Sequence, residues 1–286
     1  MRIRCKTLLG RKNLDFSISC LKSFLLNSTS EIDLIIMDDG TLTTDDVSKL
    51  QSELSNTLVV TKAERDEVVN EKLKDYPACF RYRSQDLYAN KIFDVALFEE
   101  EDVMFIDSDI YFLHRFDMPQ LGKTPIFIAD FIHAYSFTPV EFHRIKYPIF
   151  PRVNTGWFYF PRKYFDLSFL EDLLNDPIIG KGLGRVSWLE QTVWAFLAAR
   201  CGTVKYFDPR QVLNARHKLT VDDKMVAVHL ISTYRGHYSE LKLIKPSPQE
   251  RPVQIETVSP RGFLTIPAFW ADRIKKKVYR HLGLHL

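Results

Sequence analysis

The chain has 286 residues, of which 45% are hydrophobic and 26% are charged. These values are ordinary for a soluble globular protein, so the chain can bury a core as one large domain or two small ones. The four cysteines are scattered and form no C-x-x-C pair, which predicts neither a zinc site nor a disulfide framework and favours a reducing compartment.

The formal net charge of +3 is unevenly distributed. Residues 261–286 contain six basic residues and one acidic residue, a net charge of +5, so the preceding residues together carry −2. We therefore expect the body not to bind nucleic acid and the tail to seek anions. Because the N-terminus lacks a signal-like segment and no run of about 18 apolar residues occurs, we expect a cytoplasmic protein without a membrane-spanning helix.

Strands and helices are predicted to alternate along most of the chain. Apolar runs predict strands at residues 3–9, 32–37, 58–61, 103–106, 125–129, 153–160, 204–207 and 226–230. Helical spacing of apolar residues predicts helices at residues 13–26, 43–54, 82–97, 164–174 and 188–200, and residues 63–78 are charged and irregular. This alternation is typical of an α/β sheet with crossover helices.

Three further segments differ in character from the strands and helices. Residues 130–151 are rich in aromatic residues and predict either a loop with its own small core or a wall that binds an acceptor. Residues 245–260 contain four prolines and are predicted to link a domain at residues 1–244 to a tail at residues 261–286. Residues 268–282 are predicted to form a basic amphipathic helix that either lies on an anionic membrane surface or docks on the body.

The most informative stretch is VMFIDSDIYF, in which four apolar residues run directly into Asp107, Ser108 and Asp109. Such a run suits a strand buried on both faces of a parallel sheet, and ligands bind at the carboxyl ends of these strands. Carboxylates are ligands suited to Mg2+ or Mn2+, which often bridge to substrate phosphates. The stretch predicts a divalent ion that holds a diphosphate, although Asp-x-Asp is also a common polar turn.

Three groups at the ends of other predicted strands could converge with this pair: Asp38 and Asp39, Asn154 and Gly156, and His229. Two carboxylates and one imidazole nitrogen would suit Mn2+ better than Ca2+. Asp39 could contact the ribose or the base of a nucleotide. A glycine inside a strand can mark the close approach of a ligand to the backbone.

Polar residues further along the chain could complete such a site. Arg235 lies six residues beyond His229 and could neutralise a departing diphosphate, for which a guanidinium is well matched. Glu190 and Gln191 lie in the first turn of a predicted helix, where polar groups can face a bound sugar.

A resemblance to a known family rests on five segments of the chain: YANKIFDVAL, FIDSDIYF, VNTGWFYF, WLEQTVWAFL and AVHLISTYRG. In their order and spacing the chain resembles the GT-A-fold glycosyltransferases, most closely the retaining, family-8-type enzymes such as glycogenin and the lipooligosaccharide galactosyltransferases. The resemblance covers about residues 1–240. It implies a Rossmann-like α/β fold with a mixed, mostly parallel central sheet flanked by helices, followed here by the basic C-terminal helix.

Carried over residue by residue, the resemblance makes Asp107, Asp109 and His229 the ligands of Mn2+ or Mg2+. Gln191 would lie beside the anomeric carbon, Glu190 would recognise sugar hydroxyls, and Asp109 would complete the catalytic group. The residues expected to bind the nucleotide sugar are Asp38, Asp39, Lys91, Asp107, Ser108, Asn154, Gly156 and Arg235.

The implied reaction is sugar transfer with retention from a nucleoside diphosphate sugar, for example a UDP-sugar, to a hydroxyl of a glycan or lipid-linked acceptor. The implied setting is the assembly of a cell-surface polysaccharide or lipooligosaccharide. Because bacterial relatives of this type often carry basic, aromatic C-terminal tails, the resemblance also favours attachment to the cytoplasmic face of the membrane.

Four alternatives remain open from the sequence. Asp38-Asp39-Gly40 is also similar to the inverting, family-2-type branch of the fold. Haloacid-dehalogenase-type phosphatases also have Asp-x-Asp after an apolar strand, but Tyr111 stands where they have Thr or Val. A nucleotidyltransferase could use a similar sheet, although MRIRCKTLLG lacks its Gly- and Arg-rich loop. Thr192 and Ser232 depart from the family pattern and leave open a non-catalytic module that binds nucleotide sugars.

Overall fold

A computed structural model describes residues 2–182, 188–216, 219–244 and 251–281. The strands, labelled β1 to β13 in chain order, are Arg2–Leu9, Glu31–Asp38, Thr57–Val60, Val103–Ile106, Ile110–Phe112, Phe116–Asp117, Ile126–Ala129, Val153–Phe160, Lys205–Phe207, Val212–Asn214, Ala227–His229, Val253–Gln254 and Thr257–Val258. The α-helices, labelled α1 to α10, are Leu14–Asn27, Thr44–Glu53, Lys62–Leu73, Pro77–Gln85, Asn90–Leu97, Pro139–Phe142, Leu167–Asn175, Leu189–Arg200, Tyr238–Leu241 and Ile266–His281. Short 3-10 turns cover Leu87–Ala89, Arg162–Tyr164, Gly180–Gly182 and Ser232–His237.

Eight strands form the main sheet, in the order β13-β9-β7-β8-β4-β1-β2-β3. β1 runs parallel to both β2 and β4, and β2 runs parallel to β3, whereas β8 is antiparallel to its neighbours β4 and β7. The predicted mixed, mostly parallel α/β sheet is therefore confirmed. β4 lies near the middle of this order, so its carboxyl end opens where ligands bind in sheets of this type.

The main sheet is covered on both faces, which explains the continuous apolar run of β4. All four of its residues are buried, and alternate residues face opposite sides. On one face Phe105 packs against Phe158 of β8, with ring centroids 5.5 Å apart. On the other face Trp157 lies 6.0 Å from Phe24 of α1 and 5.4 Å from Phe112 of β5. Each face therefore has its own hydrophobic core.

A second sheet of three strands, in the order β10-β11-β5, brings a late strand beside the Asp-x-Asp segment. β11 is antiparallel to β5, where His229 lies opposite Ile110, and parallel to β10, where His229 lies opposite Asn214. Ile110 directly follows Asp109. Strand pairing alone therefore places His229 at the end of the Asp-x-Asp turn.

The segment expected to be irregular, residues 63–78, is largely helical. α3 begins after a capping box in which Thr61 and Glu64 bond each other's backbone N–H groups. Its buried residues are Arg65, Val69 and Leu73. Because a charged residue occupies one position of the buried stripe, the apolar period is broken and the helix was missed.

The single helix predicted at residues 82–97 is divided into three parts. α4 ends at Gln85, a 3-10 turn follows, and α5 begins at Asn90. The side chain of Asp86 accepts a hydrogen bond from the N–H of Tyr88 (2.9 Å), a local bond that competes with continuation of the helix.

The described part of the predicted linker, residues 251–260, belongs to the folded body. β12 pairs with β6, β13 pairs with β9, and Ile255 between them is buried. Pro252 and Pro260 flank these short strands, a position where proline costs no ladder hydrogen bond. The linker prediction is therefore wrong for these residues, and residues 245–250 lie outside the described part of the chain.

The C-terminal helix α10 docks on the body along one side. Phe269 is fully buried, with its ring centroid 5.9 Å from that of Phe142. Three apolar residues on α10 stay 42%, 59% and 47% exposed: Trp270, Ile274 and Val278. The predicted continuation of the helix to residue 282 lies just outside the described residues. Within the described residues, no helix is both long enough and apolar enough to cross a bilayer.

Candidate active site

The Asp-x-Asp turn connects the two sheets at the carboxyl end of β4. The N–H of Asp107 donates to the carbonyl oxygen of Gly156 in β8 (2.6 Å). The carbonyl oxygen of Asp109 accepts from the N–H of Leu230, just after β11 (2.8 Å). The backbone of the turn is held from both sides, which fixes the positions from which the two carboxylates project.

His229 meets both carboxylates. Its Nε2 lies 3.5 Å from Oδ2 of Asp107 and 3.2 Å from Oδ1 of Asp109, and one potential ligand atom from each residue falls within 4.8 Å of the others. Neighbouring ligands around an ion with bonds of about 2.1 Å lie about 3 Å apart, so this donor set fits Mg2+ or Mn2+. Nδ1 of His229 lies 3.1 Å from Oδ1 of Asn214, a contact that would leave Nε2 free for the ion.

Two cations flank the carboxylates. Nζ of Lys91 lies 2.9 Å from both carboxylate oxygens of Asp107, and the guanidinium of Arg235 lies 2.9 Å from Oδ2 of Asp109. Burial acts to raise the pKa of Asp109, but His229 and Arg235 outweigh it and hold the pKa at about 2. Burial raises the pKa of Asp107 in spite of the neighbouring Lys91. Positive groups on both sides would suit an incoming diphosphate.

Glu190 and Gln191 project into the same region from the first turn of α8. Oε2 of Glu190 accepts a hydrogen bond from the hydroxyl of Thr155 (3.0 Å), while its buried Oε1 has no partner among the described residues. Burial raises the pKa of Glu190 to about 7, although Lys91 acts to lower it. Nε2 of Gln191 donates to the carbonyl oxygen of Ala134 (2.9 Å), which ties α8 to the loop after β7.

Gly156 and Asn154 line the site from the start of β8. A Cβ atom at Gly156 would lie 2.3 Å from Cε1 and Nδ1 of His229, so the imidazole occupies space that only glycine leaves open. Oδ1 of Asn154 accepts from the N–H of Gly156 (2.9 Å), and its Nδ2 lies 3.5 Å from Oδ2 of Asp130. Asp130 was missed at the sequence level, although it directly follows a predicted strand as the other acidic residues do.

These side chains surround one cavity of about 510 Å³. Ten of the twelve predicted site residues line it: Lys91, Asp107, Ser108, Asp109, Asn154, Gly156, Glu190, Gln191, His229 and Arg235. Tyr88, Asp130 and Trp188 also line the cavity and were not predicted. Tyr88 lies in the 3-10 turn that precedes α5.

Asp38 and Asp39, predicted to bind the nucleotide, do not line this cavity. Oδ1 of Asp38 accepts hydrogen bonds from the N–H groups of residues 40–42, at 2.8 to 3.1 Å, and so holds its own turn. The guanidinium of buried Arg65 donates to the carbonyl oxygen of Asp38. The carboxylate of Asp39 lies over Gly10, where a Cβ atom would come within 2.0 Å of it. Oδ1 of Asp38 therefore has a structural role, and nucleotide binding by Asp38 and Asp39 stays a prediction.

Comparison with known proteins reveals similar structures but no similar sequence. No family model and no curated protein matches the sequence significantly. Mouse xyloside xylosyltransferase 1 has a TM-score of 0.52 at 12% identity, covering 80% of this chain and 97% of that one. An active-site mutant of LgtC has a TM-score of 0.52 at 12% identity, covering 87% of this chain and 98% of that one.

Galactosyltransferase LgtC was also solved with donor and acceptor sugar analogues, and that structure has a TM-score of 0.50 at 12% identity, covering 87% of this chain and 98% of that one. At such identities the likeness establishes the fold. The chain thus has the GT-A fold of these glycosyltransferases, as the order of its motifs predicted.

Proposed function

We propose that this protein is a metal-dependent glycosyltransferase that moves a sugar from a nucleoside diphosphate sugar to a hydroxyl of a glycan or lipid-linked acceptor. The observation that carries the proposal is the cluster of Asp107, Asp109 and His229 at the carboxyl end of β4, in a fold shared with sugar transferases. LgtC, which was solved in complex with donor and acceptor sugar analogues, supports the substrate class. A UDP-sugar is the donor we propose to test first.

Each polar group in the cavity has a task in this proposal. A divalent ion, Mn2+ or Mg2+, would supply positive charge at the leaving diphosphate when held by the Asp-Asp-His cluster. Arg235 would bind the phosphate oxygens, for which its planar donors are well placed. Oε1 of Glu190, which is buried without a partner among the described residues, would accept a hydrogen bond from a sugar hydroxyl. Asn154, which also lines the cavity, would contact the sugar as well.

We propose that the transfer retains the anomeric configuration. An inverting transfer needs a base on the acceptor side of the sugar. Asp130, which lines both the cavity and the neighbouring cleft, already accepts from the N–H of Phe131 (2.7 Å) and lies 3.5 Å from the amide of Asn154. Gln191 cannot act as a base. The acceptor oxygen would bond to the anomeric carbon as the bond to the leaving phosphate oxygen breaks, and the hydroxyl proton would pass to that phosphate oxygen.

A thermal-shift panel tests the donor site. UDP, GDP, CDP and dTDP are each added with Mn2+, Mg2+ or EDTA, and a ligand at 100 times its Kd should raise stability by about 2.7 kcal/mol. We expect one nucleotide to stabilise only with a metal ion. Asp109→Asn should abolish the shift, and Glu67→Gln, at an exposed position on α3, should leave it unchanged. Failure of all four nucleotides with either metal would refute the proposed function.

NMR of the transferred sugar then tests the stereochemistry. With the donor identified by the panel, retention predicts a product or hydrolysed sugar that first forms with the donor's own anomeric configuration. The opposite anomer would show that the enzyme inverts, and would point to Asp130 as the base.

We also propose that α10 attaches the protein to an anionic membrane surface, on the cytoplasmic face. Its exposed apolar residues, Trp270, Ile274 and Val278, recur at every fourth position. Basic residues flank them at Arg273 and at positions 275–277. An apolar stripe bordered by lysines is typical of helices that lie in the bilayer interface.

Liposome flotation tests this attachment. Replacement of the three exposed apolar residues of α10 by serine should abolish flotation with vesicles containing anionic lipid. A matched control removes three exposed apolar residues elsewhere, Leu26, Leu58 and Val140, and should float like the parent protein. Equal flotation of both variants would contradict the proposal.

A further inference from the structure

A second cleft adjoins the donor cavity and has a volume of about 1140 Å³. It lies between the loop after β7, the turn before β8, the end of β10 and the helix α10. Asp130 lines both spaces and so forms their common wall. Asn154, which lines the donor cavity, lies 3.5 Å from Asp130 at this wall, so a group bound in the cleft would lie next to the place proposed for the donor sugar.

Basic side chains outnumber acidic ones around this cleft. Arg152, Arg216, Arg261 and Lys275 line it, against Asp130 and Asp272. Both acidic groups are already engaged by the protein. Oδ2 of Asp272 accepts from the N–H of His133 (3.0 Å) and its Oδ1 accepts from Arg152 (3.1 Å). The carboxylate of Asp130 accepts from a backbone N–H, as described above. Asp272 thus pairs with Arg152, and four basic against two acidic side chains leave the cleft a net excess of two positive charges.

Two of the arginines, Arg216 and Arg261, form no ion pair with an acidic side chain among the described residues. The guanidinium of Arg216 lies over the ring of Phe131, 4.8 Å from its centroid. A guanidinium stacked in this way loses little freedom when it binds an anion. Arg261 lines the cleft from the segment before α10.

The backbone at the rim of the cleft is strained. Arg152 has a φ of 57°, which is uncommon for a residue other than glycine. The hydroxyl of Tyr206 donates to the carbonyl oxygen of Pro151 and so supports this conformation. Strained backbone of this kind is concentrated at ligand-binding sites, and Arg152 lines the cleft.

We propose that this cleft binds the acceptor, and that the acceptor is a glycan carrying an anionic group, either a phosphate or a carboxylate. The assignment rests on the proposed function, because only a sugar transferase needs a second substrate beside the donor sugar. The anionic group would lie between Arg216 and Arg261, and the hydroxyl to be glycosylated would point past Asp130 towards Asn154.

Saturation-transfer NMR with small probes tests the proposal. Glucose, glucose 6-phosphate and glucuronic acid are titrated into the protein with the donor cavity filled by the metal and nucleotide found in the thermal-shift panel. We expect at least one anionic probe to bind about five- to tenfold more tightly than glucose, from up to two exposed ion pairs. A phosphate preference would indicate a phosphorylated glycan, and a carboxylate preference would indicate an acidic sugar.

The double variant Arg216→Gln/Arg261→Gln should lose the preference for anions. The control Arg81→Gln/Arg144→Gln removes the same charge from exposed positions outside the cleft and should keep it. Equal binding of all three probes, or an equal loss in both variants, would overturn the proposal. If no nucleotide binds, the same titration on metal-free protein still reports on the cleft, so failure of the proposed function and failure of the cleft proposal are read separately.

Discussion

Gly156→Ala should disable the metal site through a single methyl group. The new Cβ would lie 2.3 Å from Cε1 and Nδ1 of His229 and 3.1 Å from Oδ1 of Asn154. Carbon atoms in contact prefer a separation of about 3.5 Å or more, so the imidazole would have to retreat by about 1 Å. Metal ligands tolerate a misplacement of about 0.2 Å.

The size of the effect follows from this displacement. Disturbing a group that merely orients a metal ligand typically costs about 10- to 100-fold in metal affinity. Moving the ligand itself should cost at least as much, so we expect a loss of about 100-fold, or about 2.7 kcal/mol. The crowding should also destabilise the fold by about 1–3 kcal/mol.

Isothermal titration of Mn2+ in the presence of the stabilising nucleotide measures the affinity, and unfolding in EDTA measures the fold separately. Gly122→Ala is the matched control, because a Cβ at Gly122 meets no atom within 4 Å. If Gly156→Ala binds the metal within a factor of two of the parent protein, His229 is not a ligand and the assigned geometry is wrong.

Three further changes have defined outcomes. Burial raises the folded-state pKa of Glu190 to about 7 from an ordinary 4.5. The free energy of unfolding should therefore fall as pH rises between these values, by at most about 3 kcal/mol. Urea unfolding of Glu190→Gln should show a flatter pH dependence than that of the parent protein. Arg65→Ala breaks a fully buried ion pair and should cost about 3–5 kcal/mol in urea unfolding, whereas Arg81→Ala at an exposed position should change stability by less than about 0.5 kcal/mol. Asp272→Ala should expose α10 to hydrogen exchange and lower donor turnover, while Lys277→Ala, on the exposed side of the helix, should do neither.

The residues that the sequence located well are those whose position follows from a strand end. The Asp-x-Asp pair and His229 each follow or end an apolar run, and strands in one sheet deliver such residues to one edge. Asp130 also directly follows an apolar run, the predicted strand at residues 125–129, so the same reasoning about strand ends could have identified it. The Glu190-Gln191 pair was located by its place at the start of a helix.

Other features depend on tertiary contacts that local pattern does not encode. The helix α3 escaped detection because Arg65 occupies a buried position that periodicity reserves for apolar residues. Oδ1 of Asp38 holds the turn after β2, a role that the residue type and its place at a strand end do not reveal. The strands at residues 253–258 are too short to show a period at all.

The C-terminal helix is joined to the proposed catalytic residues by consecutive backbone groups. Asp272 of α10 accepts from the N–H of His133, and the carbonyl oxygen of the next residue, Ala134, accepts from the side chain of Gln191. The loop is thus held by α10 on one side and by α8 on the other. If α10 lies on a membrane, the two hydrogen bonds through residues 133 and 134 connect the membrane-bound helix to Gln191 without a flexible hinge between them. The orientation of the acceptor cleft relative to the bilayer would then be set by the fold, which favours acceptors presented at a fixed height above the membrane.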